Sequence, residues 1–293
     1  MHLLMMLLAL GLAWLLRLAW QPATGNWSQR WQRALLFFLL PPLLLLMTAV
    51  AVLCMGSQGE MIGLRTGWLS YWLVFAGVGI SLVCCLQLAV AGWQSWRQVR
   101  SYPRIVLGSR EWGMGNGEWG IGSTARLLEN PTLFIAQIGF WQPELVVSQG
   151  LLQALTPEHL AAVLTHEEAH RYYRDTFWFF WLGWVRHFSV WLPNTEVLWQ
   201  ELLLLREIRA DGWAAQRVDA LLLAESLLMV VSASVRGAEN FCAAFSCTVP
   251  RNRLQERIDA LLGEIDYFAP SSIWTWSWLT LVLLPLLAVP FHG

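Results

Sequence analysis

The chain has 293 residues, 56% of them hydrophobic and 13% aromatic, but only 13% charged, about half the charged fraction of an average soluble domain. Its 19 basic residues, all arginine, stand against 20 acidic ones for a formal net charge of -1. That excludes a disordered polyelectrolyte and a protein that coats nucleic acid, and no direct nucleic-acid contact is expected. Long uncharged runs at both ends flank a middle portion holding most of the acids, the layout of a membrane protein with one water-facing part.

A bilayer core needs on the order of twenty apolar residues per helix. Four runs meet or approach this: residues 2–16 extended to 20, 34–54, 68–93 and 273–289. The first reads as a retained helix rather than a signal peptide, since no basic residue precedes it and no small-x-small cleavage site follows. Arg17, Arg30 and Arg33 follow the first run, the loop at 55–67 holds only Arg65 balanced by Glu60, and Arg97, Arg100, Arg104 and Arg110 follow the third. The positive-inside rule then places the N-terminus outside, the first loop inside, the second outside, and the chain from Arg97 to the last helix inside. A fifth apolar stretch, 177–192, contains Arg186 and His187, costly at the centre of a span. It is expected to lie in or against the membrane surface, or to pack on the spans.

Within 101–130, glycines alternate with Trp112 and Trp119 in no phosphate-binding pattern, and a flexible loop or hairpin is expected. Residues 132–138 and 144–148 read as two short strands around a turn, implying a small sheet. The five cysteines lack a CxxC arrangement and read as packing residues.

Thr156 is a good N-cap, Pro157 suits the first helical position and Glu158 complements the helix dipole, so a helix starts here. Its apolar face of Leu160, Val163 and Leu164 continues at helical spacing into Glu167 and His170. Ionisable groups on a buried face need partners. The run His166-Glu167-Glu168-Ala169-His170 is an HExxH motif, whose two imidazoles, one turn apart, can share a Zn²⁺ ion while Glu167 is placed to take a proton from water.

A third ligand is required. A later helix, opened by Pro193-Asn194-Thr195, carries Glu207 and Asp211 at i and i+4: one carboxylate for the metal and one to accept the N–H of a ligating histidine. The other reading is a solvated acidic face paired with Arg206 and Arg209. Glu201, Glu196 and His187 are rival ligands, although Glu201 sits six residues before Glu207, most of a turn out of register, and lacks an acidic partner at i+4.

The run from Gln142-Pro143-Glu144 through Gly150-Leu151-Leu152 and Thr156-Pro157-Glu158 to His166-Glu167-Glu168-Ala169-His170, with Asp175 beyond, resembles the BlaR/MecR-type membrane metallopeptidases. Glu207-x-x-Ala210-Asp211 is shared with them and with the related HtpX and Ste-type zinc proteases. Arg257-Ile258 with Leu261-Leu262 is similar to an element that follows the zinc site in both groups. The resemblance implies His166, His170 and Glu207 as zinc ligands, Glu167 as general base and Asp211 as a residue behind the ligands. Two features depart from the pattern. The chain stops at Gly293 without the extracellular sensor domain, so direct β-lactam sensing is not expected, and Cys247-Thr248-Val249-Pro250 stands where the HtpX group has a His-Pro element.

The expected fold is α+β and mainly helical: an integral membrane protein with transmembrane helices plus a zincin-like metalloprotease domain with a small β-sheet. The domains are 1–96 (three transmembrane helices), 97–272 (cytoplasmic zinc metalloprotease) and 273–293 (last transmembrane helix). The expected function is a zinc-dependent endopeptidase of the bacterial inner membrane that cleaves a protein or peptide substrate, such as a transcriptional repressor, on the cytoplasmic side. The alternatives are a quality-control protease of HtpX type and a catalytically silent membrane scaffold or receptor.

Overall fold

The computed structural model describes residues 2–21, 26–56, 60–61, 64–65, 68–107, 123–233, 253–263 and 276–291. The chain divides into two compact units, one of Met1–Gln87, Leu182–Leu202 and Phe268–Gly293, the other of Leu88–Trp181 and Leu203–Tyr267.

The first unit opens with helices α1 (His2–Leu18) and α2 (Trp27–Met55). Asn26 caps α2, its side chain accepting from the Ser28 N–H. Pro41 and Pro42 lie inside α2, and Pro42 removes the N–H that would have bonded to the Phe38 carbonyl. Arg17 of α1 supplies the missing donor: its Nη2 lies 3.1 Å from that oxygen, and its guanidinium stands over the Phe38 ring. Fully buried Arg17 therefore stitches α1 to α2 and is not the free flanking charge counted in the sequence. A two-residue ladder, β1 (Glu60–Met61) with β2 (Leu64–Arg65), precedes α3 (Trp68–Ser101). Both α2 and α3 are long and apolar enough to cross a membrane, whereas α1 has 17 residues. Many apolar side chains of α3, including Leu69, Trp72, Leu73, Ile80, Leu82 and Leu86, are exposed.

The last expected span is described from residue 276 onward, and there it is not one α-helix. A single turn, Leu279–Val282, gives way to a 3-10 helix over Leu284–Phe291. Pro285 and Pro290 lack the donors that a continuous α ladder needs.

In the second unit, β3 (Arg104–Leu107), β4 (Ser123–Leu128), β5 (Ile135–Ile138) and β6 (Glu144–Ser148) form a mixed sheet in the order β3-β4-β6-β5. The hairpin alternative for the glycine-rich stretch fits the antiparallel β3–β4 pair, although residues 108–122 themselves lie outside the described residues. The strand expected at 132–138 starts later, because Asn130 Oδ1 accepts from both the N–H and the hydroxyl of Thr132 in a local turn. Ser148 ends β6 and caps α4 (Gln149–Ala154). Gly150 is required there, since a Cβ would fall 2.1 Å from the Pro131 carbonyl oxygen. Helix α5 (Pro157–Tyr172) lies on the sheet through Leu160 and Val163, which join Leu107, Ala125, Val147 and Leu151 in one core. On its other side Ala162 packs with Ala214, Leu223, Leu227 and Leu261, from α7 (Thr195–Ala214), α8 (Ala220–Ala233) and α9 (Leu254–Leu262). Between α5 and α7 runs α6 (Asp175–Phe188).

Candidate metal centre

Helix α5 begins as its sequence requires, with the Thr156 hydroxyl accepting from the His159 N–H and Pro157 in the first turn. Its inward face buries His166 and Glu167 behind Leu160 and Val163. One turn apart, the two imidazoles face each other edge to face, with their Nε2 atoms 3.2 Å apart. Glu207 Oε2 lies 3.3 Å from His166 Nε2 and Oε1 lies 3.7 Å from His170 Nε2. Four ligands at zinc-nitrogen distance in a tetrahedron stand about 3.3 Å from one another. His166, His170 and Glu207 thus fit a zinc ion, and among the described residues they are the group whose ligand atoms come close enough to share a metal.

Each of these ligand candidates is held from behind. Asp211, one turn after Glu207, brings Oδ1 to 2.8 Å from His166 Nδ1, somewhat off the line of the ring N–H. Asp175 Oδ2 lies 2.7 Å from His170 Nδ1. A left-handed Arg174 (φ 54°) makes this contact possible by turning the chain sharply between α5 and α6, bringing a residue five positions later back onto the imidazole. Both histidines therefore direct Nε2 toward the common centre, the arrangement that orients a metal-binding imidazole and raises its basicity.

The carboxylates have their own partners. Arg206 donates to Glu207 Oε1 at 2.9 and 2.7 Å while stacking on Phe179. Arg257 of α9 grips Asp211 with two hydrogen bonds of 2.8 Å and stands 3.4 Å from Glu207 Oε2. Arg209 pairs with Asp175 and lies over Tyr173. Glu207, Asp211 and Asp175 thus each face a guanidinium, while Glu167 is a fourth buried carboxyl beside the two histidines on α5.

The titration behaviour agrees with this wiring. Burial opposes protonation of His170, but Glu207 and Asp175 outweigh it and lift its pKa to about 10. His166 is also raised, against its burial, chiefly by Asp211. Burial would push Glu207 up, yet Arg206, His170 and Arg257 hold it well below the usual range. Asp211 and Asp175 are likewise lowered despite burial, chiefly by Arg257 and by Arg209. A field that favours a proton between the imidazoles also favours a metal cation there.

The solvated-face reading of Glu207 and Asp211 does not hold: they are 7% and 1% exposed, and Arg209 serves Asp175 instead. The three rival ligands are engaged elsewhere. Glu201 accepts from Arg30 Nε at 2.9 Å, Glu196 from Arg186 at 3.0 Å, and His187 Nδ1 contacts the Gly183 carbonyl. Sequence reasoning assigned no role to Asp175 or Arg257. Both stood inside quoted motifs, and the signal was their type: an acid shortly after the second histidine and an arginine on a buried helix face.

Residues 136–236 match the model of Peptidase family M48. The match spans about a third of the chain and includes His166, Glu167, His170, Asp175, Glu207 and Asp211, while Arg257 lies beyond it. No curated protein matches the chain. The segment that carries the site is therefore similar to a metallopeptidase family, and its His166, His170 and Glu207 cluster is compatible with that likeness.

Proposed function

We propose that this chain is an integral-membrane, zinc-dependent endopeptidase that cleaves a protein substrate at the cytoplasmic face of a bacterial inner membrane. The observation that carries the reading is the convergence of His166 and His170 Nε2 with Glu207, on a helix that also buries Glu167. A zinc ion held by these three residues would supply Lewis acidity and a water of lowered pKa. Glu167 takes the proton from the attacking water and passes it to the leaving amine. Asp211 and Asp175 keep both imidazoles in the tautomer that presents Nε2.

Strand β5 aligns the substrate. Among the described strands β6 lies between β4 and β5, whereas β5 is one of the two edge strands, β3 being the other. The Ser148 N–H donates to the Phe134 carbonyl, so by antiparallel alternation Ile135 and Gln137 turn their backbone N–H and C=O groups to the open side. A peptide adding there as a further strand would run beside α5, whose Glu167 carbonyl is 3.5 Å from Gln137 Nε2. The membrane part of the reading draws on α2 and α3, and the orientation on the arginine flanks. Resemblance to the BlaR/MecR group points to a transcriptional repressor as substrate.

The test is digestion of an unfolded protein such as casein by the full chain purified in detergent. Cleavage should stop on chelation and return with zinc. Cleavage indifferent to chelators, or a purified chain devoid of zinc, would refute the assignment.

A further inference from the structure

An exposed aromatic patch in the second unit has no part in the metal centre. In the β5–β6 turn Phe140 and Trp141 stack against Phe177, with centroids 5.0 and 5.3 Å away. Phe180 and Trp181 extend the group, Phe180 at 4.9 Å from Phe140, and Trp178 joins Phe177 at 5.2 Å. Phe180 is buried beneath the group and Phe140 and Phe177 are half-buried, whereas the tryptophans face outward: Trp141 is 77% exposed, Trp178 58% and Trp181 39%.

The turn also touches the end of α3. A Cβ on Gly139 would sit 3.4 Å from Trp96 Cδ1, and the glycine's φ of +135° suits only a residue without one. Trp96 lies where α3 changes character. No charged residue occurs from Trp68 to Trp96, and then Arg97 and Arg100 arrive, lying over the rings of Trp93 and Trp96. A Trp pair followed by arginines is the mark of a helix leaving the hydrocarbon core at the headgroup level. The patch beside Trp96 stands at that level. Exposed Arg97 and Arg100 lie on α3, exposed Arg171 and Arg174 lie at the end of α5 and in the turn before α6, and the nearby acid Glu144 is already paired with Arg126 and Arg100.

We propose that Phe140, Trp141, Phe177, Trp178 and Trp181 form an interfacial shelf that inserts into the headgroup region of the bilayer around α3. The inference rests on the reading of α3 as a span. It makes the lipid surface a direct partner of the unit that carries the metal centre, since Asp175, which holds His170, is two residues from Phe177. Substrate bonds close to a membrane surface then lie within reach of β5.

The test uses the full chain with its five cysteines replaced and single nitroxide labels placed at Leu86, Trp141, Trp178 and, as an aqueous reference, exposed Glu158. The protein is reconstituted in vesicles of phosphatidylcholine and phosphatidylglycerol. Collision with oxygen relative to a water-soluble nickel chelate should be highest at Leu86 and several-fold above the Glu158 value at Trp141 and Trp178. Labels at Trp141 and Trp178 that match Glu158, with Leu86 still in lipid, overturn the shelf and leave the span reading intact. A Leu86 label that matches Glu158 overturns both. In the otherwise native chain, Trp141→Phe with Trp178→Phe should lower the tryptophan emission quenched by brominated lipid, and an unchanged quenched amplitude also overturns the shelf.

Discussion

Removing Arg257 tests the outer wiring of the metal centre. Its guanidinium makes two hydrogen bonds of 2.8 Å to an Asp211 carboxylate that is 1% exposed, so no water can take over in Arg257→Met. Stripping one partner from a buried ion pair costs about 3–5 kcal/mol. The His166 contact at 2.8 Å remains, and the loss should fall at the lower end, about 3 kcal/mol. Replacing both partners with uncharged residues of similar shape is often close to neutral, so Arg257→Met with Asp211→Asn should regain most of that stability, a coupling of about 2–3 kcal/mol between neighbours. Metal affinity should behave differently. With Asp211 neutralised, His166 loses its carboxylate, and the double variant should stay about 10- to 100-fold weaker for zinc, as losses behind the ligands usually are. Thermal unfolding in detergent and zinc competition against a chromophoric chelator read the two quantities separately. An Arg257→Met protein as stable as wild type, or a double variant no more stable than the single, would show that the pair does not carry the energy its geometry implies.

Asp175→Ala should weaken zinc binding by about 10- to 100-fold, because His170 loses its Nδ1 partner at 2.7 Å; an unchanged affinity in the same competition assay would remove Asp175 from the site. Glu207→Ala should strip the metal, whereas Glu201→Ala should leave zinc in place and lower the unfolding temperature, since Glu201 pairs with Arg30 across α2 and α7. Metal analysis showing the reverse would break the register assigned to α7. Reporters fused after Arg110 and after Arg217 should mark the same side of the membrane and one at Gln58 the opposite side; opposite results for the first two would mean that the chain crosses between them.

The metal centre was largely legible because its signals are local. Thr156-Pro157-Glu158 fixes where α5 starts, the Leu160–Val163 stripe fixes its inward face, and one helical turn separates His166 from His170 and Glu207 from Asp211. What escaped depends on contacts distant in sequence or on one dihedral. Arg257 reaches Asp211 across 46 positions, and Asp175 meets His170 only because Arg174 adopts a left-handed turn. Arg17 read as a flanking charge until its contact with the carbonyl freed by Pro42 appeared. The apolar count at 273–289 takes no account of the prolines at 285 and 290, and the expected helix is a short α turn followed by a 3-10 segment. Strand β5 and strand β6 were both read, yet which of them is the edge follows from β4 pairing in parallel with β6, a fact of topology that no local pattern carries.

The central claim, that Glu167 acts as base beside a metal held by His166, His170 and Glu207, is tested most directly by peptide cleavage with Glu167→Gln protein that has been shown to retain its zinc. All three ligand candidates remain in this variant, so the account predicts wild-type metal content together with a loss of cleavage of at least about 10²-fold, the lower range for general acid–base catalysis. Cleavage at the wild-type rate by zinc-loaded Glu167→Gln would contradict it.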